Sequence, residues 1–552
     1  MSTVRLVFTF VTIALALLFL SMYPTLAAEA PQGQPPGAQF RIAGTLVSAA
    51  GGSPVSRARV TILDAKNPKN VQSLLTADDG RFEFHVTAGK YALQGAKRDF
   101  ITAAYNQHEQ FSTAIVTGAG LDTENLILTL APAAVLTGKV LDESGDPIRH
   151  AVVALWREDH SAGVSQILRF RSETTDDQGS CEFAPLDSGS YFLSVSARPW
   201  YSVHPASFTQ EGTAPAAALV DRTLDVVYPT TYYAGATEAE DATPIPVRGG
   251  DHLDLDLRLV PVSALHVVFH TEQNGQNGYR MPVLQKRVFD GIEFQNGPET
   301  QRVSPGVFEI TTAPGKYTVR LAGTSQSSQI SEVDISQDHQ DLDTSSGVAL
   351  SSITASVHAL GEDRIPEQLF LVLRDSQRRT VAARRVSVQG QVEFTEIAPG
   401  TYDLIAGSAS KAYSVVRIAS QGRETPGHTL TVTPGESLSI DLSLVGGSVS
   451  VEGIAKKAGK GAAGAMVVLV PTHPEANREL FRRDQSDLDG SFTLQSVIPG
   501  TYTVIAIADG WDLDWSQPSV ISSYASHGQT IVVPARSERP FQLPNPVDIQ
   551  PK

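Results

Sequence analysis

The sequence of 552 residues is poor in cysteine, in basic clusters and in long apolar runs. Its single cysteine, Cys181, excludes an intrachain disulfide, so each domain must depend on its own hydrophobic core. The net charge of −16, with no basic run, argues against nucleic-acid binding, because contacts to phosphates need a basic surface. Beyond the N-terminus, no apolar segment is long enough to cross a bilayer. Helical periodicity is nearly absent as well, which indicates a chain made mainly of strands.

The N-terminus has the features of a signal peptide over residues 1–28. Arg5 supplies a positive charge, Leu6–Leu20 carries none, and Thr25-Leu26-Ala27 places small residues at a cleavage site. The alternative is an uncleaved anchor, because an apolar run extended to Ala27 approaches the ~20 residues of a membrane span. Residues 29–40 form a linker rich in Pro, Gly and Gln. We therefore expect export through the inner membrane to the periplasm, the cell surface or the medium, with no other transmembrane span.

One pattern recurs five times along the rest of the chain. It consists of a glycine, a short alternating apolar stretch, a second glycine and a tyrosine, and the first glycine and the tyrosine are 11 or 12 residues apart. The five copies run from Gly80 to Tyr91, Gly179 to Tyr191, Gly306 to Tyr317, Gly390 to Tyr402 and Gly490 to Tyr502. Such regular recurrence indicates a tandem array of related domains.

The alternation within each copy predicts a half-buried strand. Phe82 and Phe84 lie two residues apart and share one face, whereas Arg81 and Glu83 point to the other face and to water. The glycine before this strand suits a turn that a Cβ atom would resist. Cys181 stands where the other copies have Phe or Val, so we expect it in a core rather than as a reactive thiol.

Further short strands open and close each copy, and together they predict an all-β fold. Six or seven short strands in about 85–125 residues are typical of a β-sandwich. We expect about five small Greek-key β-sandwiches of transthyretin-like or Ig-like type, joined by short linkers into a rod. The predicted boundaries are 41–132, 133–261 with an insertion, 262–349 and 350–446 (both divergent), and 447–545, followed by a tail, 546–552.

The second copy carries the clearest resemblance to a known family. Across 138–191 it reads Gly-Lys-Val, Gly-Asp-Pro-Ile, Ala-Val-Val, Thr-Asp-Asp-Gln-Gly and Gly-Ser-Tyr in this order. This resembles the carboxypeptidase regulatory-like domain family, whose members are transthyretin-like sandwiches also classed with a carbohydrate-binding-like fold. The likeness is strong in copies one, two and five and weaker in copies three and four. It implies the non-catalytic part of those enzymes, and the sequence lacks the His and Glu spacing of their zinc site.

Aromatic residues outside the core pattern are the candidate site residues. A sugar-binding sandwich often presents exposed rings that stack on a glycan. The candidates are Trp200, Tyr201, Tyr232, Tyr233, Trp511 and Trp515. The alternative is that these rings cap their own sandwich or join neighbouring ones. We expect no catalytic residue, cofactor or metal site, because the calcium-like Asp487-Leu488-Asp489-Gly490 is better explained as an Asx turn.

These observations favour a non-catalytic, exported structural, adhesive or scaffold protein of the cell envelope. The alternative is a carbohydrate-binding accessory protein that uses its loop aromatics. The expected partner is correspondingly an envelope protein or a glycan, and not a nucleic acid.

Overall fold

The structure is a computed structural model, and it describes residues 39–552 except 68, 119, 205–220, 272–278, 280, 296–299, 323–328, 344–346, 363, 409–410, 421, 536 and 538. The predicted signal peptide and nearly all of the linker lie outside the described residues. Within them the chain is almost entirely β-structure, arranged as successive sandwiches. The predicted all-β tandem fold is therefore confirmed.

The strands fall into five groups, which we call the first to fifth sandwiches. The first contains Phe40–Ser48, Arg59–Asp64, Val71–Leu75, Arg81–Val86, Lys90–Ala96, Ala103–Ala104, Ile115–Val116 and Leu126–Leu130. The second contains Ala134–Leu141, Val152–Asp159, Gln166–Thr174, Ser180–Leu186, Gly189–Ser196, Val226–Val227, Thr231–Tyr232, Ile245–Val247, His252–Asp254 and Leu257–Arg258. The third contains Val262–Ser263, Leu265–His270, Met281–Val288, Gly291–Gln295, Thr300–Ser304, Val307–Thr312, Gly315–Ala322, Gln329–Ile335, Gln340–Asp343 and Val348–Ala349.

The last two sandwiches are built in the same way. The fourth contains Ser351–Ala359, Phe370–Asp375, Thr380–Arg385, Gln391–Ile397, Gly400–Gly407, Ala412–Ser420, Arg423–Pro426, Thr429–Val432 and Ser437–Gly446. The fifth contains Val449–Lys457, Lys460–Gly461, Met466–Pro471, Arg482–Gln485, Ser491–Val497, Gly500–Ile507, Gln529–Val533, Phe541–Gln542 and Val547–Gln550, and an α-helix, Pro518–Ala525. Short 3₁₀ turns lie at Arg222–Leu224, Ala239–Asp241, Arg478–Leu480 and Gly510–Asp512.

All five sandwiches pair their opening strand in the same way. In each, the opening strand pairs antiparallel with the strand that follows the repeat glycine and parallel with a closing strand. In the first three sandwiches the strand that carries the repeat tyrosine belongs to the opposite sheet, whereas in the fourth and fifth it belongs to one continuous nine-stranded sheet that also contains the opening strand. In the fifth sandwich, Val547–Gln550 pairs with both the opening strand and the strand of the repeat tyrosine. Its alternating Val547 and Ile549 face the core. The predicted C-terminal tail is thus wrong, whereas the other boundaries stay predictions.

Each sandwich has its own hydrophobic core, and the repeat supplies its central side chains. Phe82 and Phe84 are buried in the first core, and the corresponding residues of the third, fourth and fifth copies are buried in theirs. Arg81 and Glu83 are exposed, as the alternation predicts. Cys181 is half-buried rather than fully buried, and burial raises the pKa of its thiol to about 11. We therefore expect Cys181 to be an unreactive thiol at the edge of the second core.

Two features explain why the repeat keeps its first glycine and its tyrosine. All five glycines have φ between 71° and 83°, and a Cβ atom on Gly490 would lie 2.4 Å from the carbonyl oxygen of Ala455 on the opening strand. All five tyrosine rings are buried, and each hydroxyl donates to the carbonyl four residues earlier, as Tyr502 does to Ile498 at 2.8 Å. This bond satisfies the polar end of a ring whose body fills the core.

The sandwiches do not extend into a rod, because the fifth contacts the first, second and fourth. The contacts link Glu109 to Arg483, Ser165 to Asp514, and Arg378 to Ser516. Neighbours in sequence are also joined, since Arg169 pairs with Glu293 of the third sandwich and Arg320 pairs with Glu396 of the fourth. The expected rod is therefore wrong. A rod would leave polar and aromatic surface of the fifth sandwich exposed, and this surface is covered instead.

Candidate functional site

A cleft of about 810 Å³ lies where the second and third sandwiches meet. Its walls come from strands of both sandwiches and include Trp156, Tyr228, Lys286 and Tyr317. Clefts between domains are frequent ligand sites, since two separately folded surfaces can present different groups to one molecule. This junction is therefore a candidate binding site.

An aromatic cluster holds the two sandwiches together behind the cleft. Phe289, in the turn that follows Met281–Val288, lies 5.3 Å from the ring of Trp156 and 5.8 Å from that of Tyr232. Trp156 is buried and donates from Nε1 to the hydroxyl of Ser194 at 2.9 Å. Tyr232 is fully buried in the same cluster. Buried aromatic pairs of this kind give a stable, well-defined junction.

Charged groups line the cleft and are paired across the junction. Lys286 of the third sandwich donates to Glu238 of the second at 3.1 Å, with only 10% of the lysine side chain exposed. Arg169 of the second sandwich pairs with Glu293 of the third. Burial raises the pKa of the Glu293 carboxyl, although Arg169 acts to lower it. These partly buried pairs orient the sandwiches more than they stabilise them, because desolvation offsets much of the attraction.

The loop after Gly189–Ser196 forms the rim of the cleft. Trp200 is 86% exposed, and its ring meets that of Tyr201 edge to face at 5.8 Å. The hydroxyls of Tyr201 and Tyr228 both donate to the carboxylate of Glu143, Tyr228 at 2.8 Å. Partial burial and the bond to Glu143 raise the pKa of Tyr201 to about 12. The rim thus presents one exposed indole ring on a loop held by a partly buried hydrogen-bond network.

The six aromatic residues predicted as a glycan site do not form one surface. Trp200 is exposed, and Tyr201 and Tyr233 are half-buried. The expected exposure is wrong for Tyr232, Trp511 and Trp515, which are 0%, 9% and 8% exposed. Trp511 stacks on His108 of the first sandwich at 4.9 Å, and Trp515 packs beneath the guanidinium of Arg483 at 4.2 Å. Trp511 and Trp515 lie outside the repeat pattern because they pack between sandwiches and not in the core of one sandwich.

A cluster of two histidines and an aspartate lies beside the cleft. Asp225 Oδ1 is 3.0 Å from His204 Nδ1 and 3.5 Å from His266 Nε2, and one nitrogen or oxygen of each residue lies within 4.8 Å of the others. Only 3% of each histidine side chain is exposed. The sequence predicted no metal site, and spacing gave no signal for this one, because the three residues are brought together by pairing of Val226–Val227 with Val262–Ser263.

The contact between the first and fifth sandwiches is built around the fifth-sandwich strand Arg482–Gln485 and the turn that follows it. Gln485, 1% exposed, donates to the carbonyl of Asn106 at 2.6 Å and to the hydroxyl of Thr113 at 2.8 Å. Asp487, in the predicted Asx turn, accepts from Lys90 Nζ at 2.7 Å and from the backbone of Ala114 at 2.8 Å. The acidic loop therefore serves an interface between sandwiches. The Asp487 carboxylate already accepts hydrogen bonds from donors of the first sandwich.

Comparisons with known proteins support the fold of the fifth sandwich. A family model described as "BOS complex subunit NOMO1-like, second beta sandwich domain" matches residues 444–533. A comparison with curated proteins gave no match. The match agrees with a β-sandwich in this part of the chain, and membership of the carboxypeptidase regulatory-like family stays a prediction.

Comparison with solved structures gave matches that include a Bacillus anthracis protein and two pilins. The Bacillus anthracis TIE protein has 13% identity over 74% of this chain and 74% of its own, with a TM-score of 0.17. A streptococcal ancillary pilin has 12% identity over 55% of this chain and 98% of its own, with a TM-score of 0.19. The shaft pilin SpaA of Lactobacillus rhamnosus GG has 11% identity over 41% of this chain and 99% of its own, with a TM-score of 0.18. At these values the similarities carry no conclusion about function.

The described residues include no helix long and apolar enough to span a bilayer.

Proposed function

We propose that the protein is an exported, non-catalytic scaffold of the cell envelope, which holds five β-sandwiches in a fixed arrangement and offers the cleft between the second and third to a partner. Export is inferred from the signal-like sequence of residues 1–28. The partner class is an envelope protein, because the cleft is broad and lined by both apolar and paired charged groups.

The observation that carries this proposal is the position of the fifth sandwich. It contacts the first sandwich through Lys90 and Asp487, the second through Ser165 and Asp514, and the fourth through Arg378. Contacts between distant parts of the chain remove the independent motion that a flexible tether would need. A fixed arrangement suits a protein whose work is to position other molecules.

Zero-length crosslinking with a carbodiimide tests the arrangement directly. The Lys90 ammonium lies 2.7 Å from the Asp487 carboxylate, so the reagent should join these side chains, and mass spectrometry of the digest should find the linked peptides. Lys552 and Asp512, which pair within the fifth sandwich, provide the internal control. A Lys552–Asp512 link without a Lys90–Asp487 link would contradict the proposal. N-terminal sequencing of the protein from its own host would test removal of the signal segment.

One observation favours a second candidate function, the binding of a glycan at the rim. The Trp200 ring is 86% exposed beside the cleft, and a large exposed indole on a supported loop is suited to stacking on a sugar ring. This candidate requires only Trp200 and Tyr201 of the six predicted aromatics. Retention on immobilised polysaccharides, compared between the native protein and Trp200→Ala, separates it from the scaffold proposal.

A further inference from the structure

We propose that His204, Asp225 and His266 form a binding site for a divalent transition-metal ion, of which zinc is the best match, at the junction of the second and third sandwiches. Two imidazole nitrogens and one carboxylate oxygen are a donor set that zinc accepts readily. Three protein ligands leave one coordination position for water or for a group of a partner.

The distances within the cluster agree with tetrahedral coordination. Four ligands at about 2.1 Å from zinc lie about 3.4 Å from one another. The Asp225 oxygen is 3.0 Å from one histidine nitrogen and 3.5 Å from the other, values on either side of this separation. Two of the three separations thus already match those around one ion, and all three ligand atoms lie within 4.8 Å of one another.

A second carboxylate orients His266 as a metal ligand. Nδ1 of His266 lies 3.1 Å from Asp338 Oδ1, and the same oxygen accepts the backbone N–H of His266 at 2.9 Å. If Nδ1 carries the proton, the lone pair of Nε2 points into the cluster. Nε2 is buried and makes no hydrogen bond, with the oxygen of Asp225 3.5 Å away. Metal-bound histidines usually donate their other nitrogen to a carboxylate in this way.

The backbone holds the three ligands in place from different segments. Val203 N–H donates to the carbonyl of Leu224 at 2.8 Å, which sets His204 beside Asp225. Ala264 N–H donates to the carbonyl of Asp225 at 2.9 Å, which sets the strand of His266 on its other side. A bound ion would therefore connect the end of the second sandwich to the first long strand of the third. The competing explanation is a pair of ion pairs, with a proton on each imidazole and no metal.

The test is metal binding by the full, untagged chain after treatment with a chelator. Calorimetric titration with zinc chloride should give one site per chain, and cobalt(II) should give the visible absorption of a tetrahedral complex. His204→Gln and Asp225→Asn should each weaken zinc binding by at least about 100-fold, since each removes a ligand. Asp338→Asn should weaken it by about 10- to 100-fold, as expected for a residue that orients a ligand. His473→Gln, at a histidine with a 77% exposed side chain, should bind as the native chain does.

Two results would overturn the site. The first is absence of stoichiometric zinc and cobalt binding by a native chain with an intact circular dichroism spectrum. The second is equal binding by the native chain, His204→Gln and Asp225→Asn, which would place the ion elsewhere. Thermal unfolding separates loss of a ligand from loss of the fold, because zinc should raise the Tm of the native chain and of His473→Gln, whereas folded Asp225→Asn should show no rise.

Discussion

Replacement of Arg483 by alanine should release the first sandwich from the fifth. The Arg483 side chain is 4% exposed and contacts both oxygens of the Glu109 carboxylate, at 3.1 and 2.6 Å. Its guanidinium also packs on Trp515 at 4.2 Å, and lies 5.2 Å from the ring of Phe111 in the first sandwich. Arg483 thus joins the two sandwiches both by charge and by ring contact.

The size of the effect follows from what Arg483→Ala leaves behind. Removing one partner of a buried ion pair costs about 3–5 kcal/mol, and the low end applies because the Glu109 side chain is 23% exposed. A loss of about 3 kcal/mol corresponds to a change of about 150-fold in the docking equilibrium. Part of this loss falls on the fifth sandwich itself through Trp515. Glu109→Gln, which leaves that packing intact, should give a smaller loss of the same sign.

Hydrogen exchange at the interface measures this equilibrium. The N–H of Ala114 donates to Asp487, and the N–H of Leu488 donates to the carbonyl of Ala114. Their exchange should accelerate by up to about 150-fold in Arg483→Ala, whereas core amides of the first sandwich keep their protection. Arg81→Ala, at an arginine with a 78% exposed side chain, is the matched control and should change nothing. Unchanged exchange at Ala114 in Arg483→Ala would refute the interface.

Three further predictions concern single residues. Gly490→Ala should lower the free energy of unfolding by several kcal/mol, because its Cβ atom would meet the carbonyl of Ala455. Gly459→Ala, at a glycine with similar φ and open surroundings, should lower it by only about 1 kcal/mol. Denaturant unfolding measures both losses, and equal losses would contradict the steric explanation. Burial raises the pKa of Asp484 to about 6, so protonation stabilises the fold and that contribution is lost as pH rises through about 6. At pH 7.5, Asp484→Asn should therefore have a higher Tm than the native chain and a free energy of unfolding larger by at most about 3 kcal/mol. At pH 4 this advantage should be absent, and a pH-independent difference would show that burial is not the cause. Trp200→Ala should leave stability within about 0.5 kcal/mol and abolish any retention on polysaccharide, and full retention would exclude the rim as a glycan site.

The sequence predicted the individual sandwiches well because their signals are local. Alternation around Phe82 and Phe84, a turn glycine and a buried tyrosine all act within about a dozen residues, and each has a direct steric or hydrogen-bonding cause. The strand Val547–Gln550 carries the same alternation and could have been recognised from it. Its position after a proline-rich segment made it resemble a tail.

The contacts between sandwiches could not be predicted, because they depend on residues far apart in the chain. Trp511 and Trp515 look like exposed loop aromatics until the first sandwich and Arg483 cover them. His204 and Asp225 precede His266 by 62 and 41 residues, and no short motif links them. Their meeting depends on how the second sandwich ends against the start of the third. Such packing follows from three-dimensional complementarity, which hydrophobic periodicity does not encode.

Small-angle X-ray scattering of the purified mature protein tests most directly whether the five sandwiches are joined through the fifth. A compact chain of about 520 residues has a radius of gyration of about 24 Å, and a closed group of five domains with their gaps should lie between about 24 and 32 Å. Five domains of this size placed end to end would give about 50 Å. A value below about 32 Å is the predicted result, and a value near 50 Å would contradict the closed arrangement.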